Sequence, residues 1–227
     1  MSDIAIPAGG HGHEEAHDHP KHLQHHFHNS TQQFEASKLG MWLFLVTEIL
    51  LFSGLFLAYF ILQSKHPQAF IEAHHHLDRN LGLFNTIVLL VSSFTMVMAV
   101  QSAALSRTRA TLGFLYTTFA LGGVFMVVKY FEYSHKIHEG LLLGNLFSYA
   151  GAQVPGEYLF FSMYFMMTGV HGIHILAGMG VIGYLIWRTH KGDYSGEYYT
   201  PIDLTGLYWH LVDLIWIYLF PLLYLVS

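Results

Sequence analysis

The amino-acid sequence places ionisable side chains inside long apolar runs, where an unpaired charge is costly. His210 and Asp213 lie within the run 204–226, and His171 and His174 lie within the run before it. Each pair is spaced by three residues, so its two side chains share one face of an α-helix. An ionisable group at that depth costs about 2.5–3.5 kcal/mol and therefore needs a partner inside protein. We predict that these four residues form a hydrogen-bonded structural cluster between two neighbouring helices.

A carboxylate, Glu48, interrupts the first apolar run about ten residues from its start. At about 1.5 Å per residue, Glu48 lies ~15 Å deep, near the middle of a bilayer. A carboxylate removed from water can hold a proton and pass it on. Glu48 is therefore a candidate proton-associated or lipid-associated residue, and either Glu48 or Asp213 is expected to accept hydrogen bonds from the histidines.

Lys129 and Glu132 form a second candidate pair near the end of another apolar run. Their spacing of three residues favours an ion pair on one helix face. One interpretation is a lysine that snorkels to the membrane interface beside its partner. The other is a contact with a lipid headgroup or a partner subunit.

Three interpretations of the histidine cluster remain open on the residues alone. It could be a polar lock that fixes helix register, a proton-handling or headgroup site, or a metal site. His171, His174, His210 and Asp213 supply enough nitrogen and oxygen donors for zinc or iron. However, the sequence has neither the His-Glu-x-x-His pattern of metalloproteases nor the Glu-x-x-His pairs of di-iron bundles, and it has no cysteine. We predict no metal at these residues.

The composition explains which elements must hold these side chains. The chain has 227 residues, of which 53% are hydrophobic and 11% charged, and its mean hydropathy is +0.39. Soluble domains carry about 25% charged residues. We therefore predict an all-α integral membrane protein, a bundle of five transmembrane helices, with no nucleic-acid partner because basic residues do not cluster. The helices are predicted at about 39–62, 81–105, 111–133, 158–187 and 204–226.

Polar and aromatic side chains within these helices also predict contacts between helices and at the membrane interface. Hydroxyl residues in the second helix should let neighbouring helices approach and bond across. Aromatic residues near the ends of spans are typical interface anchors. The hydroxyl and amide residues are Asn85, Thr86, Ser92, Ser93 and Thr95, and the aromatic residues are Trp42, Tyr59, Trp187, Trp209, Trp216 and Tyr224.

Basic residues predict the orientation of the bundle. With a cytoplasmic N-terminus, the inner segments hold six lysines and arginines and the outer segments hold three. The positive-inside rule therefore favours a cytoplasmic N-terminus and a periplasmic C-terminus.

Residues 1–33 are a histidine-rich polar tail that precedes the membrane domain, residues 34–227. Eight of the 18 histidines lie within residues 11–28. Because the tail has few apolar residues to bury, we predict that it is disordered. Its imidazoles could bind metal, but their irregular spacing favours a solvated tail.

With these motifs in place, residues 38–227 resemble subunit III of the haem-copper oxidases, most closely the bacterial cytochrome c oxidase subunit 3. One short motif alone is weak evidence, whereas several in the family's order across five helices are specific. The motifs are KLGM at 38–41, TEILLF at 47–52, NTIVLL with SS at 85–93, EY at 132–133, TGVHGIH at 168–174 and YWHLVDLIW at 208–216.

The resemblance implies an accessory subunit without a redox centre of its own. It would pack on catalytic subunit I in a bacterial inner membrane, bind phospholipid and support proton uptake. Haem and copper would lie in subunit I and other partner subunits. Glu48 and Glu132 match the family's acidic positions, and His171, His174, His210 and Asp213 match its polar positions. The complex would then be a proton-translocating oxidoreductase of the aerobic respiratory chain.

The chain departs from the mitochondrial form of the family, which has two further N-terminal helices. A lipid cleft bounded by those helices is therefore not expected in the same form. Subunit III of a quinol oxidase is the alternative within the family, since the electron donor binds elsewhere. The context of Glu48 and Asn85 leans toward cytochrome c. Rivals of other classes are an intramembrane metal transporter, with the histidine tail collecting ions, and an intramembrane hydrolase.

Overall fold

A computed structural model describes residues 29–141 and 154–225, and this part of the chain folds into six helices. Five of them are long and apolar enough to cross a membrane, as predicted. The sixth, α2, is a short helix between the first two long ones. The helices are α1 (Ser30–Lys65), α2 (Pro67–His74), α3 (Arg79–Ala104), α4 (Thr108–His138), α5 (Glu157–His190) and α6 (Thr200–Tyr224).

The long helices extend beyond the apolar runs that predict them. α1 begins at Ser30 rather than near residue 39, because Asn29 caps it by accepting a hydrogen bond from the backbone N–H of Gln32 at 2.7 Å. α4 likewise continues to His138 through polar residues. Of the disordered tail predicted at residues 1–33, residues 30–33 lie in α1, so the prediction is wrong for them. The rest of the predicted solvated tail, and the alternative that its imidazoles bind metal, fall on residues 1–28, which lie outside the described residues.

α5 and α6 lie at the centre of the bundle. α5 packs against α1, α2, α4 and α6, whereas α3 packs mainly on α4 and α6. Trp209 of α6 is fully buried, and its ring lies against Gly178 of α5 and Gly122 of α4. These two glycines allow three helix backbones to approach one bulky side chain.

Four of the six aromatic residues considered as interface anchors are in the core. Trp42 and Trp187 are exposed on the bundle surface, as an anchor requires. Among the residues near the ends of spans, the prediction is wrong for Tyr59 and Tyr224, which are buried. The four core residues pack against neighbouring helices, where their N–H or O–H groups find partners. They are Tyr59, Trp209, Trp216 and Tyr224.

The junction between α2 and α3 is held by a buried histidine. The Nδ1 of His74 lies 2.5 Å from the carbonyl oxygen of Ile71, and its Nε2 lies 3.1 Å from the Arg79 guanidinium. Since guanidinium can only donate, Nε2 accepts, and the ring is neutral with its proton on Nδ1. Burial lowers the pKa of His74, the bond to Ile71 opposes that effect, and the charges of His75 and Arg79 lower the pKa further.

This histidine predicts that the α2–α3 junction loosens as the pH falls. The folded state resists protonation of His74, whereas the unfolded chain takes up a proton near pH 6.5. Stability is therefore complete above about pH 6.5 and falls below it, by at most about 1.4 kcal/mol per pH unit for one group. We expect amide hydrogen exchange in α2 to quicken between pH 7.5 and 5.5, after correction for intrinsic rates. His74→Gln should remove this pH dependence, and replacement of the exposed His138 by Gln should leave it intact.

Candidate functional site

An intramembrane carboxylate and imidazole join α1 to α5. The Nε2 atom of His174 lies 2.7 Å from an oxygen of Glu48, and its Nδ1 atom lies 2.7 Å from the carbonyl oxygen of Val170. The side chains of both members are about one-sixth exposed. The hydroxyl of Tyr208 on α6 donates to the carbonyl oxygen of His174 at 3.0 Å, and the edge of Phe52 packs on its ring. Three helices therefore position this pair.

The geometry of the Glu48–His174 pair fixes how many protons it holds. A carbonyl oxygen can only accept, so Nδ1 of His174 carries a proton directed at Val170. One further proton must then lie between Nε2 and the Glu48 oxygen, on either atom. The pair is neutral overall in both cases, which the low dielectric of the membrane favours. The imidazole of His174 and the carboxylate of Glu48 therefore share one proton between α1 and α5.

Lys129 and Glu132 form an ion pair that is buried rather than interfacial. Their side chains lie 2.9 Å apart and are 8% and 3% exposed, so Lys129 does not snorkel out of the bundle. The Lys129 ammonium also donates to the hydroxyl of Tyr224 at 2.8 Å and to that of Tyr164 at 3.4 Å. Tyr224 in turn donates to Glu132 at 2.5 Å. The face of Trp216, whose centre lies 4.7 Å from the ammonium, completes the enclosure.

His210 and Asp213 lie beside α3 and do not meet His171 or His174. Nδ1 of His210 is 2.7 Å from the hydroxyl oxygen of Ser93. Asp213 is 2% exposed, and its two carboxylate oxygens form no hydrogen bond with the described residues. Asp213 also lies near the hydroxyl of Ser93, without a hydrogen bond to it.

His171 occupies the centre of the bundle with neither ring nitrogen hydrogen-bonded to a described residue. Its ring lies 5.3 Å from that of Trp216 and 5.6 Å from that of Phe125. Asn85 of α3 is also fully buried with its amide unpaired among the described residues. His171 therefore contributes polarity to an otherwise aromatic layer.

The predicted cluster of four residues therefore does not assemble. His174 faces α1, His210 and Asp213 face α3, and His171 faces the aromatic layer. A spacing of three residues leaves two side chains about 60° apart around a helix, and that angle separates His171 from His174. Within residues 29–141 and 154–225, no group of three histidine, aspartate or glutamate side chains has metal-binding geometry. The four-ligand metal hypothesis has no support in this arrangement.

The hydroxyl residues of α3 bond across the bundle, as predicted. The indole N–H of Trp209 donates to Ser92 and that of Trp216 donates to Thr86, each at 3.0 Å. Thr95 is hydrogen-bonded to Thr118 of α4 at 2.8 Å. Tyr164 and Tyr224 were not predictable from the sequence as partners of Lys129. A tyrosine within an apolar helix is the only sign of such a role, and this chain has many tyrosines in that setting.

Five membrane-length helices with polar pairs buried between them define a multi-pass membrane protein of the helix-bundle class. The family model for cytochrome c oxidase subunit III matches residues 21–227. The chain belongs to this family, subunit III of the haem-copper oxidases.

Relatives in this family carry both cytochrome c oxidase and quinol oxidase names. The "Cytochrome c oxidase subunit 3" of Synechocystis sp. is 35% identical over 204 residues, 89% of this chain and 78% of the relative. The "Quinol oxidase subunit 3" of Bacillus spizizenii is 30% identical over 213 residues, 91% of this chain and 98% of the relative. In Aeropyrum pernix, a "Heme-copper oxidase subunit I+III" is 29% identical over 193 residues, 82% of this chain and 22% of the relative.

Proposed function

We propose that this chain is the accessory subunit that sustains proton supply in a cytochrome c oxidase, without a redox centre of its own. The observation that carries the proposal is the Glu48–His174 contact at 2.7 Å, a carboxylate and an imidazole joined inside the membrane-spanning bundle. Haem and copper would lie in partner subunits, and the complex would act as a proton-translocating oxidoreductase. A quinol oxidase is the second candidate, since one of the relatives carries that name. The relatives are oxidase subunits, and none of them supports a transporter.

The partners we propose are catalytic subunit I and phospholipid. The relative named subunit I+III in Aeropyrum pernix supports the first, because its name joins the two subunits. An apolar groove of about 340 Å³ between α1, α5 and α6 supports the second. Lys38, paired with Asp203 at 3.1 Å and partly exposed, lies before the groove along α1 and could meet a lipid phosphate. The groove is lined by Met41, Phe44, Ala177, Val181, Leu204, Thr205 and Tyr208.

We further propose a bacterial inner membrane as the location, with the N-terminus in the cytoplasm. The support is the excess of basic residues, six against three, in the segments that this orientation places inside. In that orientation α2 and the Lys129–Glu132 pair lie toward the periplasmic half.

The test of the proton role is Glu48→Gln in the assembled oxidase. Glutamine keeps the size and hydrogen-bonding atoms of the side chain but cannot exchange a carboxyl proton. We expect the haem spectrum and the amount of bound subunit to stay unchanged, while the catalytic lifetime during turnover shortens several-fold. Oxygen consumption followed to inactivation, with a stopped-flow record of proton uptake, measures both quantities.

The matched control is Thr47→Ala, the neighbouring position on α1. Thr47 is exposed, and its hydroxyl donates to the carbonyl oxygen of Phe44 in its own helix. That variant should behave as the unmodified oxidase. Unchanged proton uptake and lifetime in Glu48→Gln would contradict the proton role, and loss of haem would contradict the accessory role.

A further inference from the structure

A polar pair lies on the membrane-facing side of the seam between α3 and α6, with a buried carboxylate behind it. Ser93 and His210 are half-buried and joined at 2.7 Å, whereas Asp213 is 2% exposed with both oxygens unpaired in the described part of the chain. By comparison, both ring nitrogens of His174 have hydrogen-bond partners. The α3–α6 seam thus has polar atoms whose hydrogen bonds the described residues leave unmade.

The second ring nitrogen of His210 needs a hydrogen-bond partner in either tautomer. Nδ1 of His210 and the Ser93 hydroxyl share one hydrogen bond, in which either atom can carry the proton. Nε2 of His210 is therefore either a lone pair that requires a donor or an N–H that requires an acceptor. No described residue hydrogen-bonds to Nε2.

The depth of this atom excludes lipid headgroups as its partner. His210 lies ten residues into α6 and Ser93 fourteen residues into α3, about 15 and 21 Å along the helices at 1.5 Å per residue. The hydrocarbon layer is about 30 Å thick, so both lie near its middle. Acyl chains carry no hydrogen-bonding group, and an unsatisfied polar atom in hydrocarbon is costly. The partner group must belong to another transmembrane helix.

The surface around His210 suits such a helix. Positions three and four residues from Ser93, and four and seven from His210, repeat on the same helix faces. They carry apolar side chains that are 42–49% exposed and would flank a docked helix on both sides. These residues are Leu90 and Val97 on α3, and Leu214 and Ile217 on α6.

We propose that this α3–α6 face docks a transmembrane helix of the catalytic subunit, and that a polar side chain of that helix forms a hydrogen bond with Nε2 of His210. Docking would complete the hydrogen bonding of His210, whose Nδ1 is already joined to Ser93. The proposal rests on the proposed function, which makes subunit I the partner, and adds the surface and the contact atom.

Photo-crosslinking in membranes that contain the assembled oxidase tests the surface. A photoreactive residue at Val97 should give a product with the catalytic subunit. The same residue at Val127, which is similarly exposed on α4, serves as the matched control and should give mainly lipid products. Products with only lipid or a second copy of this chain at Val97 would overturn the proposal. If this chain fails to co-purify with a catalytic subunit before any substitution, the proposed function fails instead.

Substitutions at His210 test the contact atom. Leucine removes the hydrogen-bonding atom, whereas glutamine places an amide group, which can donate or accept, at about the position of Nε2. Hydrogen bonds between transmembrane helices have modest energies, so we expect His210→Leu to weaken retention of this chain by about three-fold in detergent titration, and His210→Gln to restore most of it. Equal retention in all three forms would overturn the contact.

A bulky substitution on the surface distinguishes loss of docking from a folding defect. Val97→Trp adds bulk outside the bundle core and should reduce retention about ten-fold if the face is docked. Val127→Trp should leave retention unchanged. Equal protease resistance of the two variants in membranes checks that both are folded, and equal retention of the two would count against docking at this face.

Discussion

Lys129→Met is expected to lower the free energy of unfolding by about 3–5 kcal/mol, because it leaves a buried carboxylate without its cation. Glu132 is 5% exposed and faces the Lys129 ammonium at 2.9 Å. Methionine fills a similar volume but offers no charge, so Glu132 keeps only neutral donors such as the Tyr224 hydroxyl at 2.5 Å. Denaturant titration of the solubilised oxidase, with unfolding of this chain followed by pulse proteolysis, measures the loss.

Two comparisons separate the buried charge from the loss of packing. The double variant Lys129→Met with Glu132→Leu should be more stable than Lys129→Met alone, because no charge remains to be compensated. Lys191→Met removes an exposed lysine whose ammonium lies 3.7 Å from the centre of the Trp187 ring, and it should cost about 0.5–1 kcal/mol. A Lys129→Met variant within about 0.5 kcal/mol of the parent, the range of a surface change, would mean that the pair contributes little.

The five long helices were predictable because membrane insertion selects apolar runs of sufficient length. The ends of those helices were not, since caps such as Asn29 extend a helix into polar sequence. The short helix α2 was missed for a different reason. Its eight residues hold too little apolar sequence to signal a helix, and it is held by the contact of Phe70 with Tyr59 and Phe160 from elsewhere in the chain.

The residue types of the site were predictable from the sequence, but the helix that each side chain faces was not. Intramembrane charge identified Glu48, Lys129 and Glu132, and the structure gives each a partner. Spacing along one helix could not show that His174 turns toward α1 while His171 turns inward. Which face meets which neighbour depends on how helices distant in sequence pack. Ser93 shows the same limit, because only the approach of α6 to α3 makes it the partner of His210.

Gly178→Ala is expected to destabilise the bundle by about 1–3 kcal/mol, through overpacking against Trp209. A Cβ atom at position 178 would lie 2.8 Å from two carbons of the Trp209 ring and 3.1 Å from the ring of Tyr208. Trp209 cannot move away, because Gly122 on α4 lies against its far edge and its N–H is bonded to Ser92. The same denaturant titration measures the change.

Gly180→Ala, two residues along the same helix, is the matched control. A Cβ atom there meets nothing within 4 Å, so only helix propensity changes, and alanine should stabilise α5 by up to about 1 kcal/mol. If Gly178→Ala lowers the free energy of unfolding and Gly180→Ala raises it, the close approach of α5 to α6, rather than helix flexibility, requires the glycine at 178. If Gly178→Ala also stabilised the chain, Trp209 could not be the side chain that fixes the spacing of the three helices. Tyr208, the neighbour of Trp209 that donates to the carbonyl oxygen of His174, would then have to be positioned by another contact.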